Sequence, residues 1–174
     1  EIVGEFPIYI PTVSVTSIGD GGGSIASVDD FGTLKVGPES AGSTPGPACY
    51  GRGGTRPTIT DAFATCGFIG HSNLGYDAVT VDAAKARAAV ETIAAPLKRT
   101  AEQAAEAIIQ VAVSGMYREV SKLGSRQGVD ARDFALLAFG GAGPMLGCFL
   151  ARELGMKTVM IPTAPGVLSA LGGL

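Results

Sequence analysis

Two glycine-rich segments bring the backbone to where it can touch an anion: Gly19-Asp20-Gly21-Gly22-Gly23-Ser24 and Gly140-Gly141-Ala142-Gly143-Pro144. Successive glycines let backbone N–H groups reach a phosphate or a flat base with no Cβ in the way, and a helix N-terminus just beyond adds a favourable dipole. In the first segment Gly21, Gly22 and Gly23 are the candidate phosphate contacts, and Ser24 offers a hydroxyl. The segment lacks the Gly-Lys-Ser/Thr ending of a P-loop, so no lysine is placed to reach a β- or γ-phosphate. Asp20 repels phosphates unless Mg²⁺ lies between them, which makes it the candidate metal ligand. In the second segment Gly140, Gly141 and Gly143 are the candidates. Counting from Gly141, the third glycine of a dinucleotide fingerprint falls at Leu146, so that fingerprint is absent. The plain alternative for both is a tight turn with no ligand.

A third segment, Gly51-Arg52-Gly53-Gly54-Thr55-Arg56-Pro57-Thr58-Ile59-Thr60-Asp61, places two arginines around glycines and Asp61 at a helix start. Asp61 is the candidate catalytic base or metal ligand; the competing reading has Thr60 or Asp61 capping the helix and the arginines solvated. His71, the lone histidine, sits in a polar stretch that reads as a surface loop. Cys49 reads as packing rather than a nucleophile, since no partner base is evident. Three cysteines without a CxxC pair and one histidine make no zinc site of the usual spacing.

The elements that must position these residues follow from pattern. Residues 8–18 alternate apolar and polar from Val13 onward and read as a half-buried strand. Ser24 to Val28 and Thr33 to Val36 read as a hairpin around Asp29-Asp30-Phe31-Gly32. Residues 37–60 form a long loop rich in Gly, Pro and Ser, of a length uncommon without a function. A short helix follows Thr60-Asp61, and Asp82 caps another that ends before Pro96. Thr100-Ala101-Glu102-Gln103 is a capping-box pattern opening a helix to residue 123, roughly 35 Å long. Its Ala104, Ile108, Ala112, Met116 and Val120 form a core-facing seam. Phe134 to Phe139 is a continuous apolar run that suits a strand buried on both faces. Pro144 begins a helix, Gly155 caps its C-terminus, and Lys157 to Ile161 supplies a parallel strand. The class is α/β, with a glycine turn at a strand's carboxyl end, where ligands prefer to bind in open sheets.

The totals agree with one well-cored domain of 174 residues: 46% hydrophobic, 17% charged, net charge -3 and pI near 5.1. Disorder is excluded by that balance, and no basic surplus exists for a nucleic-acid backbone. The first residues carry no basic flank and apolar run of a signal peptide, and Pro162 and Pro165 interrupt the longest apolar stretch, so no membrane segment is expected. A reducing cytoplasm is the simplest setting for the unpaired cysteines. Both ends read as cut from a longer chain, so 1–174 is expected to be a single partial domain.

Several segments resemble the hydantoinase A/5-oxoprolinase family: Ile18 to Ala26, Val36 to Thr55 with its Gly-Pro-Ala-Cys-Tyr-Gly stretch, Pro57 to Ala62, Asp133 to Pro144 and, more weakly, Pro165 to Gly172. They occur in family order over almost the whole chain. The resemblance implies a ribonuclease-H-like lobe similar to the acetate and sugar kinase/heat-shock-70/actin fold, incomplete here. It implies ATP and Mg²⁺ as cofactors, with Gly19–Ser24 bordering the phosphates and Gly140–Gly143 the adenosine. The implied activity of the parent protein is phosphorylation of a carbonyl or enolate oxygen of a cyclic amide or ketone, driving hydrolysis or carboxylation with a second subunit or domain. Two other readings stay open: a non-catalytic assembly module of the same ancestry, and a nucleotide-binding protein without phosphoryl transfer. The chain departs from the family pattern at Asp20, where alanine is usual, at Ser14 and Thr16, and at Val113 and Gly115, where asparagines are common. The family's acidic Asp-x-Gly-Gly-Thr hairpins are not in this sequence.

Overall fold

The structure, a computed structural model, describes residues 15–70, 74 and 79–174, and the two short strands β1 (Ile2–Val3) and β2 (Phe6–Pro7) before them. Most of the strand expected over 8–18, and His71, lie outside the described residues; 15–18 carry no regular structure. β3 (Ser24–Val28) and β4 (Leu34–Ser40) pair antiparallel as expected, Val28 opposite Leu34. The Asp29 carboxylate closes their turn by accepting the Phe31 and Thr33 amides.

Three helices form the main core. α1 (Ile59–Thr65) is capped by Thr58, α2 (Ala83–Ala94) by Asp82, and α3 (Ala101–Gln127) by the Thr100/Gln103 capping box. At 27 residues α3 is about 40 Å long, a turn longer than the pattern suggested, and Gly128 ends it in the left-handed conformation. Its seam packs as expected: Ala104, Ile108 and Ala112 are fully buried against Ile59, Phe63 and Val90. Fully burying a side chain such as Ile108 contributes about 1.5–3 kcal/mol.

The last third is a strand-helix-strand unit: β5 (Ala135–Leu137), α4 (Gly143–Leu154) and β6 (Thr158–Met160), with β5 and β6 parallel. A short helix α5 (Leu168–Leu171) follows. Gly155 caps α4 as expected, at φ 69°. Gly147 lets α4 lie close on β5, since a Cβ there would stand 2.8 Å from the Ala138 Cβ. One expectation fails. The 134–139 run is not buried on both faces: Phe134, Leu137 and Phe139 are 52%, 47% and 43% exposed. Among the described residues β5 pairs only with β6, and α4 covers one face, so the opposite face stays open. The architecture is mixed α/β. Among the described residues no helix is long and apolar enough to cross a membrane.

Candidate functional site

The first glycine turn is held from inside. The Ser24 hydroxyl accepts from the Gly21 amide at 2.8 Å and donates to the Gly19 carbonyl at 2.8 Å. The Gly22 carbonyl accepts twice from the start of α1, from the Thr60 amide at 3.0 Å and the Thr60 hydroxyl at 2.9 Å. The Gly23 carbonyl accepts from the Ala41 amide at 2.9 Å. Those bonds leave the Gly22 and Gly23 amides with no partner among the described residues. The second turn is anchored by the Gly140 amide, which donates to the Pro165 carbonyl at 2.8 Å. Gly140 adopts φ +80°, a conformation that favours glycine. Gly141 and Ala142, leading into α4, also have amides without a partner among the described residues, and no side chain caps that helix.

The two turns, distant in sequence, meet. A Cβ on Gly22 would lie 3.5 Å from the Ala142 Cβ, and Gly22, Gly23, Gly140 and Gly141 line one cleft of about 640 Å³. That volume lies within the usual range of small-molecule sites. Four backbone donors and an uncapped helix N-terminus border it, an arrangement suited to phosphate oxygens. Among the described residues no acidic or basic side chain lines it. The remaining wall is mainly apolar, with Ile69, Met145 and Pro165 among its members beside Tyr50, Thr60 and Thr163.

Other expected residues take different places. Gly21 and Gly143 do not line the cleft; Gly143 faces a smaller hollow on the other side of the second turn. The Ser24 side chain is buried and engaged within its own turn. Asp20, the expected metal ligand, is not among the residues lining the cleft; it borders the smaller hollow and turns its carboxylate onto α3 at Gly115. Burial raises the Asp20 carboxyl above its ordinary range; Arg118 opposes that shift and Glu119 adds to it.

Asp61, the expected catalytic base or metal ligand, does not line the cleft either. It is completely buried, and its oxygens accept from the amides of Ala48 (3.2 Å), Cys49 (2.8 Å) and Thr58 (2.9 Å) and from the Thr58 hydroxyl (2.8 Å). A carboxylate so engaged ties the 41–58 loop to α1, and its complete burial keeps it out of contact with solvent. The cap itself is Thr58, not Thr60. Cys49 is fully buried beside it, and desolvation followed by the Asp61 charge drives the thiol far above its ordinary range, as a packing role requires. Arg56 pairs with Glu39 at the surface. Among the described residues no three His, Cys, Asp or Glu side chains gather to hold a metal.

Tyr50 and Thr60 line the cleft, a place the sequence reading gave to neither. Tyr50 supplies its aromatic wall, half-buried beside Thr60, and burial raises its phenol above the ordinary range. The signal was present: Tyr50 ends the Pro-Ala-Cys-Tyr-Gly stretch. A separate hollow of about 410 Å³, edged by Phe68 and Phe149, carries Glu106 and Glu153 against Arg152. Its two acids suit a polyanion poorly.

The fold and the glycine-walled cleft define a class. The hydantoinase/oxoprolinase family model matches residues 1–174, and the chain belongs to that family. It is 42% identical over 169 residues to caprolactamase subunit alpha of Pseudomonas jessenii, covering 97% of this chain and 24% of that protein. It is 39% identical to the acetophenone carboxylase gamma subunit of Aromatoleum aromaticum, covering 98% of this chain and 23% of the relative. The crystal structure of the ATP-dependent caprolactamase from Pseudomonas jessenii superposes with a TM-score of 0.85 over 94% of this chain and 24% of that one. A nucleotide-free acetone carboxylase structure gives 0.79 at 30% identity, over 89% and 22%. The chain thus spans about a quarter of the length of these relatives.

Proposed function

We propose that this chain is part of an ATP-dependent hydantoinase/oxoprolinase-type enzyme and that it binds the nucleotide in the cleft between its two glycine turns. One observation carries the reading: Gly22, Gly23, Gly141 and Ala142, whose amides have no partner among the described residues, border a single cavity. The Gly22 and Gly23 amides hold phosphate oxygens. Gly141, Ala142 and the α4 N-terminus hold the second side of the nucleotide, and the Tyr50 ring and the apolar wall exclude water. Similarity to ATP-dependent enzymes, caprolactamase among them, supports this ligand. The wider fold in this reading is a ribonuclease-H-like lobe of the acetate and sugar kinase kind.

The chemistry is phosphoryl transfer to the carbonyl or enolate oxygen of a cyclic amide or ketone. The bond between the γ-phosphorus and the bridging oxygen breaks, ADP leaves, and the activated carbon is then attacked in a partner subunit or domain. Backbone donors serve such a transfer because it needs positioning and charge neutralisation more than covalent chemistry. Mg²⁺ accompanies the phosphates in this reading, but among the described residues no carboxylate lines the cleft, and no step here is assigned to the ion. The setting is the cytoplasm.

Calorimetric titration of the complete protein with ATP, with and without Mg²⁺, tests the proposal. Saturable binding is expected, followed by ADP release on a panel of lactams and ketones. Undetectable binding overturns it in favour of an assembly role, and binding without turnover on any panel member leaves a nucleotide-binding protein.

A further inference from the structure

The turn Gly19–Ser24 has a second face, away from the cleft, where its one charged side chain meets α3 at a residue with no side chain. A Cβ built on Gly115 would stand 2.5 Å from Asp20 Oδ2 and 3.3 Å from its Cγ, so the carboxylate occupies the space a side chain at 115 would need. β4 closes the other side in the same manner. A Cβ on Gly37 would fall 2.7 Å from the Gly19 carbonyl oxygen and 3.8 Å from Asp20 Oδ1, and Gly37 sits at φ +64°. Glycine in mid-helix is unfavourable relative to alanine and calls for a packing reason; the Asp20 carboxylate is that reason. Gly19 accepts the Ser24 hydroxyl, so a shift of Gly19–Asp20 moves the whole turn, including the Gly22 and Gly23 amides.

We propose that Asp20 is a positioning residue: seated over Gly115 and beside Gly37, it clamps the first glycine turn to α3 and β4 and so fixes the Gly22 and Gly23 amides at the cleft. The nucleotide consequence rests on the function proposed above, whereas the clamp itself does not. A side chain at 115 leaves no room for the carboxylate.

The test is a double-mutant cycle on the complete protein, read by hydrogen exchange of the Gly19–Ser24 segment without nucleotide and by ATP titration. Helix propensity alone makes Gly115→Ala favourable, so a loosened turn in that variant reports the Asp20 contact and not a weaker helix. We expect Gly115→Ala to speed exchange at Gly21–Ser24 and to weaken ATP binding about tenfold, a coupling typical of contacting residues. Asp20→Ala/Gly115→Ala should return to within about twofold of Asp20→Ala alone, and Asp20→Asn, which keeps the shape, should exchange like the wild type. Wild-type exchange in Gly115→Ala or in Asp20→Ala, or a double variant perturbed by the sum of the two single effects, overturns the clamp. If the wild type binds no ATP, the proposed function fails, and the exchange measurements still decide the clamp.

Discussion

Both walls of the cleft end in glycine, but they are built on different foundations. The wall made by Gly22 and Gly23 stands on a buried polar hub: Asp61 gathers three backbone amides and a hydroxyl, and Thr60 reaches from the same helix to hold Gly22. The wall made by Gly140 and Gly141 stands on β5–α4–β6, where two three-residue strands pair only with each other among the described residues and keep Leu137, Met160 and Ile161 about half exposed. Phosphate-binding geometry needs fixed donors, and on the first wall the chain fixes them internally. On the second wall only the α4 side is packed, through Leu146, Leu150 and Leu154.

Removing the hub gives the largest expected effect. Asp61→Ala leaves buried amides of Ala48, Cys49 and Thr58 without their acceptor and should cost about 4 kcal/mol, read as a lowered denaturant midpoint. Asp61→Asn separates structure from catalysis. It should lower the midpoint and take activity down only in step with folding; a full-strength fold with abolished turnover would return Asp61 to the chemistry. The two faces of the second wall differ by a smaller amount. Leu146→Ala, at a 3% exposed position, should cost about 3 kcal/mol, whereas Leu137→Ala on the open strand should cost less than about 1 kcal/mol in this chain. Equal losses would mean that the open face is packed after all.

At the seam between the walls, Gly22→Ala should act on binding more than on stability. Its φ is not in the left-handed region, so the backbone accepts alanine, but the new methyl would lie 2.9 Å from the Thr60 hydroxyl and 3.5 Å from Ala142. The Thr60 hydroxyl must shift, whereas Ala142 stays in ordinary contact, and both border the cleft. ATP affinity should fall about tenfold, equivalent to about 1.4 kcal/mol, with the unfolding midpoint nearly unchanged. An affinity within twofold of the wild type would separate the seam from the nucleotide site.

What could be read from the sequence is what is encoded within a few residues. Thr100 with Gln103, Asp82, the 24–36 hairpin and Gly155 each place their own signal beside the element they start or stop. The meeting of the two glycine turns is not encoded that way; it was expected only from the family resemblance. The bonds from Ala48 and Cys49 to Asp61 are not legible locally, because those partners lie in a loop whose path no local rule predicts. Asp20 was read against imagined phosphates when its neighbour is Gly115, far along the chain. The run 134–139 has the composition of a doubly covered strand, and composition reports what a strand tolerates, not what lies over it.

The smallest expected effect tests whether the hub side owes anything to its surface. Arg87 of α2 pairs with Glu102 in the first turn of α3, and it also meets Glu91. The hydrogen bond from Arg87 leads in holding the Glu102 carboxyl low, at about 2 against an ordinary 4.5. Because the folded value lies below the unfolded one, the contribution to stability is complete above the unfolded pKa and disappears as pH falls through the folded one. The midpoint difference between wild type and Glu102→Gln should therefore be constant above about pH 5.5 and shrink steadily towards pH 2. It should also fall with added salt, since both side chains are half exposed. A difference that persists at pH 2 would show that Glu102 acts as a helix-start packing residue, and the stiffness of the first wall would then come wholly from its buried parts.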